Sequence, residues 1–294
     1  MKKTNRRHFL CQLGALAATT SVANSVNLCA AEEKRNHVKG ELKLGLVTYN
    51  LGKDMDLSTL ISNCEKTGFE GVELRTTHAH KVEVNLSASE REDVKKRFAD
   101  SPVNLVSLGS AFEFQMPDQE VLAKNIRETK EYIQLAHDVG ASAVKVRPNG
   151  LPAGVPKEKT LEQIGKAFRE VAVFGWNLGV DIRMEVHGPQ TCLLPNMKVI
   201  LDVADHPNAN ICWNSNMDDL SGEGFDYNYN LVKDKIKICH IIELWDERYP
   251  WRKLFANLVR DGFHGYTLAE IPENNDPVRI MRYYRALWLA MQPQ

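Results

Sequence analysis

Short apolar, β-branched runs alternate with longer amphipathic stretches eight times between Glu41 and the C-terminus, and this alternation constrains the fold more than any other feature. The strand-like runs are 42–48, 71–75, 103–108, 143–147, 181–186, 211–214, 236–241 and 265–271. Helical stretches such as 57–67, 88–99, 118–139 and 160–178 fall between them, with apolar residues three and four apart. Ile126, Tyr132, Ile133, Ala136 and Val139 mark one such stripe. Gly68, Gly140, Gly179 and Gly262 each close a helix just before the next strand, where a left-handed cap is expected. Strands joined by helical crossovers run parallel. Eight such units with no break in composition predict an α/β protein with one closed (β/α)8 barrel, a TIM barrel, over residues 41–294.

The first 31 residues stand outside this pattern. Lys2, Lys3, Arg6 and Arg7 precede an apolar run, and small residues follow up to Ala31. Asn5-Arg6-Arg7-His8-Phe9-Leu10 resembles a bacterial twin-arginine export signal, which predicts a signal peptide over 1–31, a polar linker over 32–40 and a periplasmic or other extracytoplasmic location. The apolar run is shorter than the roughly 20 residues a membrane span needs. Four of the six cysteines lie beyond the signal, and none forms a CxxC pair, so buried free thiols are expected. The net charge of −1 and pI of about 6.8 argue against a nucleic-acid binder. No Gly-rich nucleotide turn follows the first strand, and the Pro- and Gly-rich loop after the fourth belongs to the active face of a barrel.

Barrel chemistry sits at the C-terminal strand ends. Strand five ends on Glu185 and His187, strand six on Asn214 and Asn216, strand seven on His240 and strand eight on Glu270. Glu185, Asn214, His240 and Glu270 can therefore converge from four successive strands. Two carboxylates, an imidazole and an amide oxygen suit one divalent ion: Mn2+, Mg2+ or Zn2+. His187 lies two residues beyond Glu185 on the same strand face and is placed to hydrogen-bond a ligand carboxylate or a substrate hydroxyl. Glu113, between Phe112 and Phe114, is a candidate reader of sugar hydroxyls, with a solvated acid in a packed loop as the alternative. Arg147 shares a face of strand four with Lys145 and is a candidate for a substrate oxygen or carboxylate, or for a structural ion pair. His78 and His80 read as solvated loop histidines, and Trp213, Trp245 and Trp251 as core residues, one of which could floor a sugar site.

From Leu42 onward the chain resembles the xylose isomerase-like barrel superfamily of sugar isomerases and epimerases. The segment Gly68-Phe69-Glu70-Gly71-Val72-Glu73-Leu74-Arg75 is typical of it. The resemblance implies metal ligands on strands five to eight, matching Glu185, Asn214, His240 and Glu270. It also implies catalytic roles for Glu185 and Glu270, one removing and one returning a proton beside a carbonyl. It places Glu73 toward the barrel mouth and Arg248 near a substrate-binding arginine. The chain departs from the family pattern where Asn214 replaces an aspartate and Met217 a histidine. The first change keeps an oxygen ligand but removes one negative charge, which should weaken metal binding or change its preference.

The expected function is metal-dependent isomerisation or epimerisation of a sugar or keto-sugar through an enediolate. A small-molecule substrate is implied, and homo-oligomerisation stays open. Two rivals remain: a lyase or hydratase acting on 3-keto-glycosides with the same site, and a non-catalytic carbohydrate-binding barrel. A DNA-repair barrel would need more strand-end histidines and a basic face.

Overall fold

The computed structural model describes residues 40–293. The expected signal segment and all of the linker but Gly40 lie outside the described residues. Eight strands pair in chain order into a closed parallel barrel: β1 Glu41–Val47, β2 Gly71–Arg75, β3 Asn104–Glu113, β4 Ala143–Arg147, β5 Asp181–Glu185, β6 Ala209–Asn214, β7 Ile236–Ile241 and β8 His264–Ala269. β8 closes on β1, with Gly45 opposite Leu268. The intervening helices are α1 Leu57–Thr67, α2 Ala88–Ala99, α3 Gln119–Val139, α4 Lys157–Leu178, α5 Leu194–Ala204, α6 Phe225–Val232, α7 Trp251–Arg260 and α8 Pro277–Met291. The chain is therefore the (β/α)8 barrel that the alternation requires.

Local chemistry sets the helix ends. Asp56 caps α1 by accepting from the Thr59 amide at 2.7 Å, and Ser87 with Glu90 forms a capping box on α2. Asp118 accepts from the Glu120 amide at 2.8 Å, so it precedes α3 as a cap rather than opening it. The four helix-closing glycines all have positive φ. Among the described residues, no helix is long and apolar enough to cross a membrane, and the four cysteines there are free and buried.

The main core lies between the barrel and its helices. A smaller apolar cluster of Val47, Val106, Cys212, Ile238 and Leu268 fills the barrel interior, with Tyr266 against it. A Cβ on Gly71 would fall 2.5 Å from Val106 and 2.6 Å from Tyr266, so a glycine there makes room for the interior to fill. Above this apolar layer the interior turns polar, and Glu73, Lys145, Glu185 and His240 are all buried.

β3 runs five residues past the sequence expectation. Its register against β4 shifts between Gly109 and Glu113, and the Ser110 hydroxyl donates to the Lys145 carbonyl at 2.6 Å. This irregular stretch lacks the alternation by which a strand is recognised. It carries Glu113 to a position opposite Arg147.

Candidate metal centre at the barrel mouth

β5, β6 and β7 pair so that Glu185 lies opposite Cys212 and Asn214 opposite His240. Glu270 follows β8 directly, and its amide donates to the Ile241 carbonyl at 2.9 Å. These registers bring Glu185, His240 and Glu270 together, with one ligating atom from each within 4.8 Å of the others. His240 Nδ1 lies 3.5 Å from Glu185 Oε1 and 3.3 Å from Glu270 Oε2. Neither approach forms a hydrogen bond, and both His240 nitrogens are buried without such a partner among the described residues. Two ligands bound to one ion at about 2.1 Å sit about 3.0–3.4 Å apart for bond angles between octahedral and tetrahedral. The two His240 separations lie close to that range, which makes the three side chains a candidate set of ligands for one small divalent cation. The Asn214 side chain makes no hydrogen bond among the described residues, and it is partly exposed beside His240 on the neighbouring strand.

Behind this trio lies a second set of charges. Glu73 Oε1 is 3.3 Å from His240 Nε2, and its Oε2 accepts from the Ser107 hydroxyl at 2.5 Å. Burial alone would raise the Glu73 pKa, but His240, Lys145 and Ser107 outweigh it and bring it to about 2. Glu73 is fully buried beneath His240, which corrects its expected place as a substrate contact at the mouth. A carboxylate behind an imidazole in this way would orient the ring were it to bind a metal. Lys145 Nζ donates to Glu185 Oε2 at 2.6 Å, with both side chains 4% exposed. Burial disfavours both charges, yet each partner offsets it: the Lys145 pKa is raised, and that of Glu185 is held well below the carboxylate range. For His240, burial disfavours protonation, and charge at Cys212 and Glu73 favours it, so the pKa rises well above the ordinary value. Burial raises the Cys212 pKa too, so its thiol is neutral at pH 7 and the carboxylates carry the effect.

The expected substrate contacts separate into two groups. Arg147 donates to Glu113 Oε1 at 2.9 Å, so the two are first of all an ion pair with each other. Asn149, not singled out from the sequence, joins Glu113 to His187. Arg248, in the loop after β7, has a side chain 77% exposed that donates to Asp246 two residues away. Local geometry explains this, because a short turn after β7 lets the guanidinium reach its own loop's carboxylate. Of the two loop histidines, His78 is partly exposed and His80 is not solvated. His80 is buried between the Arg75 carbonyl and the Val82 amide, and burial, with His80 and Arg75 nearby, takes the His78 pKa to about 4. Trp213 and Trp251 are buried in the core, whereas Trp245 is 68% exposed. Lys145 carried no signal from the sequence beyond its place on an inward strand face. Asn149 carried none, because it lies in a loop.

The sequence profile of a family described as "Xylose isomerase-like TIM barrel" matches residues 61–287. No curated protein matches the chain. Among solved structures, an L-ribulose 3-epimerase aligns with a TM-score of 0.73 at 14% identity, over 85% of this chain and 94% of its own. A 3-keto-D-glucoside 4-epimerase from E. coli aligns with a TM-score of 0.71 at 14% identity, over 85% and 99%. The IOLI protein with a bound zinc atom aligns with a TM-score of 0.68 at 18% identity, over 85% and 96%.

Proposed function

Because the chain belongs to the xylose isomerase-like TIM barrel family, we propose that it is a divalent-metal-dependent isomerase or epimerase of a sugar or keto-sugar. The reading rests on the convergence of Glu185, His240 and Glu270 at the barrel mouth. The zinc-bound relative supports a metal there, and the epimerase relatives support sugar chemistry. A divalent ion held by these three residues, with Asn214 beside them, would polarise a substrate carbonyl and offset the negative charge of an enediolate.

The two glutamates differ in freedom. Glu185 has one oxygen committed to Lys145 and is held as a carboxylate. Its role is to ligate and to stay charged. Glu270 is the more exposed, at 20%, and among the described residues contacts only His240 of the charged partners. Glu270 therefore takes the proton from the carbon beside the carbonyl, and a proton returns to the same or the adjacent carbon. Return from Glu270 to the neighbouring carbon gives isomerisation; delivery of a proton from water to the opposite face of the same carbon, with Glu270 giving its own proton to solvent, gives epimerisation. The name of the E. coli relative favours a keto-glycoside as one substrate class; loss of a β-substituent after the same proton abstraction would make the enzyme a lyase. Export by the twin-arginine route, read from the N-terminal residues, belongs to the same proposal and favours unphosphorylated sugars.

The test is solvent deuterium exchange into a panel of keto-sugars with Mn2+, followed by NMR. Glu270→Gln should lower the exchange rate by at least about 100-fold. An unchanged rate removes Glu270 from proton transfer.

A further inference from the structure

The ends of β3, β4 and β5 carry a polar chain that the metal centre does not use. Glu113 Oε1 accepts from Arg147 at 2.9 Å and from Asn149 Nδ2 at 2.5 Å, and Glu113 Oε2 accepts from Gln115 Nε2 at 3.0 Å. Asn149 Oδ1 lies 2.9 Å from His187 Nδ1. His187 Nε2 makes no hydrogen bond among the described residues.

The chemistry of these groups fixes where the protons sit. A carboxylate only accepts, so the face of the Asn149 amide turned to Glu113 must be its NH2 group. Its carbonyl oxygen then faces His187, and an oxygen acceptor there requires a proton on Nδ1. A neutral imidazole carries one ring proton, so Nε2 is left as an open acceptor. From this geometry we infer that Asn149 is a positioning residue, which locks His187 in the Nδ1–H tautomer and presents Nε2 as the acceptor for a substrate hydroxyl. The ligand class is a hydroxyl donor such as a sugar, in keeping with the proposed function on which this role of Nε2 rests.

The backbone holds the chain rigid. Asn149 has a φ of +56°. Thr191 Oγ1 donates to the His187 carbonyl at 2.7 Å and accepts from the Gly150 amide at 2.8 Å. Gly188, at a φ of +86°, passes so close to Asn149 that a Cβ would lie 2.6 Å from its backbone. The two loops are thereby stapled before any ligand arrives.

The experiment is 15N NMR of the full chain labelled at histidine, at pH 8, with His187→Gln assigning the signal. The expected spectrum has a protonated, pyrrole-type Nδ1 and a bare, pyridine-type Nε2 on His187. Asn149→Ala should move the signal toward the Nε2–H form that free imidazole side chains prefer. An Nε2–H tautomer in the unsubstituted protein overturns the inference, and so does an Nδ1–H signal that persists in the variant. The unsubstituted spectrum decides even where the variant does not fold. Neither readout depends on turnover, so loss of the proposed activity and loss of this inference remain distinguishable.

Discussion

At the scale of single residues, Lys145 and Glu185 carry the sharpest energetic consequence. Both are buried, and each offsets the other's desolvation. Removing one partner of such a pair strands a charge and costs about 3–5 kcal/mol, whereas replacing both with apolar residues is far less damaging. Lys145→Met is therefore expected to lower unfolding free energy by about 3–5 kcal/mol. Lys145→Met combined with Glu185→Leu should recover most of that loss. Denaturant melts of the three proteins check this. A loss below about 1 kcal/mol for the single variant would mean that water reaches the pair. The same ion pair has a chemical meaning: it spends one Glu185 oxygen on the ammonium, leaving the other to face His240.

At the scale of elements, the segment after β6 holds an acid in an unusual state. Asp219 Oδ2 accepts from the Tyr249 hydroxyl at 2.6 Å and from the Asn216 amide at 3.1 Å, and Tyr249 in turn accepts from Trp213 Nε1 at 2.9 Å. Asp219 Oδ1 is buried with no hydrogen-bond partner among the described residues. Burial wins over these hydrogen bonds and pushes the Asp219 pKa up from 3.8 to about 7. The folded state therefore keeps this proton longer than the unfolded chain does. The contribution is most favourable below about pH 4 and is lost as pH rises through about 7. Asp219→Asn keeps an acceptor for Tyr249 and cannot ionise. It should be more stable than the parent at pH 8, by up to about 4 kcal/mol for three units at 1.36 kcal/mol each. The two should converge near pH 4, and parallel stability curves across that range would refute the buried-acid account.

What the sequence carries divides along similar lines. The barrel was legible because its period is redundant: eight strands and their crossovers all repeat one pattern. Glu185, His240 and Glu270 were reachable because strand ends have fixed places in a barrel, and they lie together in the structure. Glu73 and Asn149 were misplaced or missed for different reasons. Strand alternation gives the inward face of Glu73 but not its depth beneath His240. Loop geometry, on which Asn149 and Arg248 depend, leaves no periodic trace. The β3 extension that brings Glu113 to Arg147 is irregular, so it too was silent.

At the scale of the whole molecule, one ion should alter the stability of the entire barrel. Glu185 and His240 lie on β5 and β7 and Glu270 just beyond β8, spread along the second half of the chain, so the unfolded chain cannot gather them. A ligand that binds only the folded state stabilises it by about 2.7 kcal/mol at 100 times its dissociation constant. Added Mn2+ or Zn2+ should raise the melting temperature and EDTA should reverse the rise, while His240→Gln should remove most of it. The effect has a sign in pH as well. Charge at Cys212 and Glu73 raises the His240 pKa above its ordinary value against the effect of burial, so a metal bound at its ring would compete with a proton. Metal-induced stabilisation should therefore shrink as pH falls, and binding should release protons. Titration calorimetry in buffers of different ionisation enthalpy measures that release. Metal binding that is independent of pH, or a melting shift that survives in His240→Gln, would place the ion away from Glu185, His240 and Glu270.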